Sequence, residues 1–245
     1  MKLIRIIVAT CFIFSAATSM ADHHTTGPLG YGMSYVLKVS DPAAIAGAMT
    51  EVRTTDLGRN NPSTVVLNQL VAGGEPGATH IIGVFYQSAA NIDAAQAMNE
   101  AMKVGEKMGP VFQAASERLQ VVMWTLLRAS AREGAVTSDN PVSMGYLVQV
   151  TDQSAFMAAF DPLWKNLEET FPGNLAFGSV LADGASPGTH FIQFTANDME
   201  TLLGAMQAFQ TSEAMAAYME LAPSFRSIVS ESIIRRVLYF PEASS

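Results

Sequence analysis

Cysteine is nearly absent from this chain of 245 residues. The only one, Cys11, lies in the first apolar stretch. Once that stretch is removed, catalytic thiols, disulfides and cysteine-ligated metals are excluded. Basic residues are also scarce: 14 Lys and Arg stand against 22 Asp and Glu, for a net charge of −8. No cluster of Lys and Arg is present to neutralise a run of phosphates, which disfavours nucleic acid as a partner, and an anionic membrane surface with it. Signature motifs are missing too. There is no GxxxxGK[ST] phosphate loop, no HExxH zinc pattern and no GxSxG nucleophile elbow. No cofactor is expected in the body of the chain.

What is present begins with MKLIRIIVATCFIFSAATSMA. Lys2 and Arg5 precede a short apolar run, Ile6 to Ala17, and Ser19-Met20-Ala21 is a small-x-small cleavage site. The pattern predicts a secretory signal peptide over 1–21, and a periplasmic or secreted mature protein. Loss of Lys2 and Arg5 takes the net charge from −8 to −10. No later stretch is apolar for long enough to span a bilayer. Cleavage after Ala21 would leave Asp22-His23-His24 at the mature amino terminus, in a flexible tail over 22–30. The free amine, two amides and the His24 imidazole form a square-planar nitrogen set suited to Cu(II) or Ni(II).

The remainder is written twice. Met33-Ser-Tyr-Val-Leu-Lys-Val-Ser-Asp41 matches Met144-Gly-Tyr-Leu-Val-Gln-Val-Thr-Asp152. VVLNQLVAGG, from Val65, matches LAFGSVLADG, from Leu175. Both are followed by a Gly/Pro turn and a Thr-His pair, at His80 and His190. Glu100-Ala-Met102 with Pro110-Val-Phe112 matches Glu213-Ala-Met215 with Pro223-Ser-Phe225. Within each copy, MSYVLKVS alternates as a strand does. Asp41-Pro42 is a helix cap followed by proline at the first helical position. Phe156, Phe160, Leu163 and Leu167 form one helical stripe, which Pro162 is expected to kink or end. Two β-rich runs around the Gly/Pro turn read as a hairpin, and an Ala/Met/Glu segment reads as a helix. Leu119–Leu127 and Ile233–Phe240 read as closing strands. The order β-α-β-β-α-β, twice, predicts an α+β chain of two tandem ferredoxin-like units, 31–130 and 144–241, joined by a linker over 131–143. Each unit leaves one sheet face bare, and the two can cover each other as a pseudo-dimeric α/β barrel.

In this pattern the chain resembles the dimeric α/β-barrel superfamily, here as an internal tandem, over roughly residues 30–240. The superfamily includes antibiotic-biosynthesis monooxygenase-like, stress-responsive barrel and polyketide-cyclase-like proteins. Thr79-His80-Ile81-Ile82 and Thr189-His190-Phe191-Ile192 look like the stretch that opens the third strand in the stress-responsive type. The resemblance implies a pocket lined by that histidine. In cyclases of this type a second histidine, in His-Pro-x-His, acts as base. Asn99-Glu-Ala-Met102 and Ser212-Glu-Ala-Met215 stand there instead.

His80 and His190 are the candidate catalytic groups, because a neutral imidazole can act as a base or ligand near neutral pH. A histidine at a strand start can equally serve only to bond the turn. Tyr35 and Tyr146 are equivalent phenols that could meet a ligand or pack under a helix. Lys38, Gln149, Asn68, Gln69 and Gln193 are polar strand residues that could line an otherwise apolar barrel. Arg235-Arg236 must send one side chain inward, where it could meet a carboxylate or an anionic ligand. Two functions remain open. One is binding of a small, largely apolar compound, with or without a role in stress. The other is cofactor-independent monooxygenase or cyclase/lyase chemistry through His80 or His190. Further assembly into a homo-oligomer is compatible with either.

Overall fold

The computed structural model describes residues 29–184 and 186–243. The first half comprises β1 (Gly30–Val39), α1 (Pro42–Arg53), α2 (Asp56–Arg59), β2 (Thr64–Gly73), β3 (His80–Tyr86), α3 (Ala89–Ala101), α4 (Val104–Ala115) and β4 (Ser116–Ser130). The second comprises β5 (Val142–Val150), α5 (Gln153–Thr170), β6 (Asn174–Ala182), β7 (His190–Ala196), α6 (Met199–Gln210), α7 (Glu213–Leu221) and β8 (Arg226–Phe240). The chain is thus α+β, with seven α-helices among the described residues. β5 starts at Val142, inside the stretch read as linker.

The eight strands form one closed barrel in the order β1-β3-β2-β8-β5-β7-β6-β4, with antiparallel neighbours throughout. Each half supplies four adjacent strands, β4-β1-β3-β2 and β8-β5-β7-β6. The seams are β2–β8 and β6–β4. Closure leaves no edge strand among the described residues. Register shifts recur at matching places: Leu119 and Val229, Leu127 and Val237, and Val71 and Leu181 are the extra residues of their ladders. Each pair is separated by the interval that separates His80 from His190. Bulges bend and twist a sheet locally, as closure of a small barrel requires.

Helix starts follow from the chemistry of the caps. Asp41 and Asp152 each accept an amide N–H three residues on, at 3.0 Å. α5 runs through Pro162 instead of ending there. The buried stripe Phe156, Phe160, Leu163 and Leu167 continues on both sides of it. Packing of those side chains outweighs the ~3 kcal/mol that an interior proline costs a helix.

Helices cover the outside of the barrel. One core lies between helices and sheet in the second half, around Phe156, Phe160, Phe177, Leu167 and Leu202. A smaller one in the first half contains Leu37, Ile45, Met49, Leu67 and Ile82. Side chains of the opposite strand parity face the lumen. There Trp124 stands edge-on to Phe85 at 5.2 Å and to Phe191 at 5.1 Å, one ring from each half, and donates its indole N–H to Ser34 Oγ at 3.1 Å.

Candidate functional site

The two Thr-His pairs lie under the helices and not in the lumen. His80 pairs across the sheet with Leu37 and Gln69, on the side of Leu37 and Leu67. His190 is stacked on Phe177 with rings 5.6 Å apart and 4° from parallel, and Phe156 of α5 lies 5.7 Å away. Both histidines are buried. Their local geometry is the same. Val39 N donates to Thr79 Oγ1, and Val150 N to Thr189 Oγ1, each at 2.8 Å. Thr79 N donates to Leu37 O, and Thr189 N to Val148 O. Each threonine hydroxyl lies 2.9 Å from Nδ1 of the histidine that follows. The alternative acceptors of that hydroxyl, Leu37 O at 3.5 Å and Val148 O at 3.3 Å, are farther. A neutral imidazole accepting the hydroxyl proton at Nδ1 satisfies both groups. Burial pushes both imidazoles below the usual histidine range. The repeated Thr-His pair is therefore a brace: it extends the β1–β3 and β5–β7 ladders by one side-chain bond and ties it off.

Tyr35 and Tyr146 also belong to the helix–sheet layer. Each phenol donates to the sulfur of a methionine two residues earlier, Met33 and Met144. Tyr146 meets Phe194 edge-on at 6.1 Å. Burial, with the Glu231 carboxylate next, raises its phenol to about 12. Burial raises Tyr35 as well. Both are neutral hydrogen-bond donors at neutral pH.

Asn68, Gln193, Gln149 and Lys38 share the lumen parity, whereas Gln69 pairs with His80 on the helix side. Gln193 Nε2 donates to Thr195 Oγ1 at 3.4 Å, and Thr195 Oγ1 is 2.8 Å from Ser143 Oγ. Lys38 and Gln149 stand near the opposite end of the barrel, beside Glu117 and Ser227. The seven candidate ligand-contacting residues thus divide between two compartments: Tyr35, Tyr146 and Gln69 on the helix side, and Lys38, Gln149, Asn68 and Gln193 on the lumen side. Asp22, His23 and His24 lie outside the described residues. Among the described residues, no group of three or more His, Cys, Asp or Glu side chains could hold a metal ion.

Two clefts open on the helical layer. One of about 240 Å³ runs between α1 and α4. The other, about 430 Å³, lies in the second half where the end of α5 meets α6. Leu167, Phe171, Ala205, Ala208 and Phe209 form its walls, with Asn166, Thr170, Thr201 and Ser212 among its polar groups. Phe194 lies behind it, 5.4 Å from Phe171 and 5.8 Å from Phe209. None of these residues was read from the sequence as a binding residue; Leu167 was placed only on the helical stripe, and Ser212 only at the start of the stretch that replaces His-Pro-x-His. The available signal was a run of small side chains at helical spacing, Thr201, Ala205 and Ala208, which opens a trough on one face of α6, with Ser212 following at the cap of α7.

No protein-family model matches the chain, and no curated protein matches it in sequence. Solved structures match in fold. A protein described as a "putative monooxygenase" from Lactobacillus acidophilus NCFM aligns with a TM-score of 0.59 at 9% identity, over 89% of this chain and 99% of that one. An anthrone oxidase-like protein aligns with a TM-score of 0.55 at 11% identity, over 89% and 97%. Chlorite dismutase from Candidatus Nitrospira defluvii aligns at 0.51 and 9% identity, over 87% and 93%. The likeness is one of fold: these proteins share the arrangement seen here, in which eight strands close one barrel within a single chain.

Proposed function

We propose that the protein is a non-catalytic binder of a small, largely apolar compound, with the second-half cleft as its site. We further propose that it is built from two copies of one βαββαβ unit, 31–130 and 144–241, and is exported by residues 1–21. The observation that carries the binding role is the cleft itself. Its volume of about 430 Å³ and its mixture of Phe, Leu and Ala with a few hydroxyl and amide groups match what small-molecule sites need. The matched bulges support the duplication. The bonding of His80 and His190 argues against their use as bases, because Nδ1 of each is committed to a threonine hydroxyl under a helix.

The test is to fill the cleft. Ala208→Trp places a large side chain in the trough, away from the barrel strands. Nile red, a neutral apolar dye, is expected to bind the wild-type chain and to lose about tenfold in affinity on this change. Equal binding by both proteins would reject the cleft as the site.

The second reading is a cofactor-independent monooxygenase or cyclase/lyase using His80 or His190. The names of the fold neighbours favour it: monooxygenase and anthrone oxidase-like. Oxygen uptake with anthrone as probe, abolished by His190→Ala or His80→Ala, would establish it over the binding role.

A further inference from the structure

The two halves differ on the inner wall of the barrel. In the first half Gly32 pairs with Phe85 and Trp124, so that end of the lumen is aromatic. At the matching level in the second half Ser143 pairs with Thr195 and Ile234, and Asn174 pairs with Thr195. That side presents hydroxyl and amide groups. The Oδ1 atom of Asn174 is buried and has no hydrogen-bond partner.

Arg236 stands on the same wall. It pairs with Asn68, on the face opposite Leu67 and Leu238, which pack under the helices. Only 8% of Arg236 is exposed. Its Nε donates to Asp139 O at 3.1 Å and one Nη to Ser138 O at 2.9 Å. Its guanidinium lies 5.0 Å from the centre of the Tyr239 ring. Asp139 contributes its carbonyl and not its carboxylate, and none of the ion pairs among the described residues includes Arg236. The other Nη carries no hydrogen bond to a described residue. A buried cation held by two carbonyls and an aromatic ring, with no carboxylate beside it, is costly, and buried charges are ordinarily paired. The lumen wall also leaves room. Phe85 faces the lumen and still keeps 39% of its surface accessible. A methyl group added at Gly145 would meet only Ser232 Oγ, at 3.4 Å.

We infer that this end of the lumen is a second binding site, separate from the helical cleft, for a small aromatic carboxylate. The free edge of the Arg236 guanidinium takes the carboxylate, as its fork geometry favours. The exposed edge of Phe85 and the Trp124 ring take the apolar part. Asn174 Oδ1 offers an acceptor to a ligand hydroxyl.

Benzoate and its neutral counterpart benzyl alcohol test this on the full mature chain, by calorimetry and by the indole N–H resonance of Trp124. Benzoate is expected to bind, to shift that resonance, and to bind at least about tenfold more tightly than benzyl alcohol. Arg236→Met is expected to remove the preference and leave benzyl alcohol unaffected. Because Arg236 also fastens residues 138–139, Gly145→Val provides a variant that keeps those bonds and narrows the lumen. It should weaken both probes. Equal binding of the two probes by the wild-type chain, or a Trp124 resonance unmoved by millimolar benzoate, would overturn the inference. So would benzoate binding unchanged in both variants. Loss of benzoate binding on Ala208→Trp would move the site to the helical cleft and overturn it too.

Discussion

If the Thr-His pair is a brace, removing the threonine hydroxyl should cost a predictable amount. Thr189→Val keeps the shape of the side chain and deletes Oγ1. Val150 N–H then loses its acceptor at 2.8 Å, and His190 Nδ1 loses its partner at 2.9 Å. A buried polar group left without a partner costs about 1–3 kcal/mol. Val150 is only half-buried, and water can reach part of this turn, so the low end applies. The expected loss is about 2 kcal/mol, or roughly 4–8 °C in Tm for a chain of this size. Thr79→Val should behave alike, since its distances are the same. Urea unfolding of the single variants and of Thr189→Val with His190→Phe gives the coupling between the two side chains. The brace predicts a coupling of about 1 kcal/mol, because removing both partners leaves only Val150 N–H unsatisfied. A loss below about 0.5 kcal/mol for Thr189→Val, or no coupling, would refute the reasoning.

Acidification gives a second test. Burial depresses both His80 and His190, so the folded state favours neutral imidazole. In the unfolded chain each takes a proton near pH 6.5, and stability present above that value is lost as pH falls through the depressed folded range. Urea midpoints should therefore drop on the acid side of about pH 6.5, less steeply in His190→Phe; a midpoint independent of pH there would contradict the burial account. Two glycines make a paired prediction. A Cβ at Gly32 would sit 2.1 Å from the Trp124 ring, whereas one at Gly47, on the exposed face of α1, meets nothing within 4 Å. Gly32→Ala should destabilise by about 3 kcal/mol and Gly47→Ala should stabilise by about 0.5–1 kcal/mol, as read by thermal unfolding.

What could be read from the sequence was whatever local chemistry repeats. The Asp41 and Asp152 caps, the Gly/Pro turns and the alternation of MSYVLKVS each need only a few neighbouring residues to declare themselves. The first half of β8 escaped notice because RSIVSES resembles a polar loop. It is a strand whose lumen-facing residues are Ser227, Ser230 and Ser232. The inward or outward sense of the histidines was equally hidden. HIIGVFY is apolar at nearly every position because one face meets helices and the other the lumen, and a strand covered on both faces loses the alternation that reveals its orientation. Sites made by side chains far apart in sequence left no local trace. Asn197 is one case. It accepts from the amides of Thr137 and Ser138 at 2.7 and 2.9 Å, and it donates to Ala135 O, pinning the connection between the halves. Arg53 is another: from α1 it is buried against Ser63 and against Pro241 O, just past the end of β8.

The binding role is tested most directly by the mass of the mature protein isolated from its own cells, recorded under native and then denaturing conditions, beside that of Ala208→Trp. The account predicts a native excess corresponding to one small apolar compound, lost on denaturation and missing from the cleft-filled variant. Equal native and denatured masses for the wild-type chain, or an excess that persists in Ala208→Trp, would contradict it.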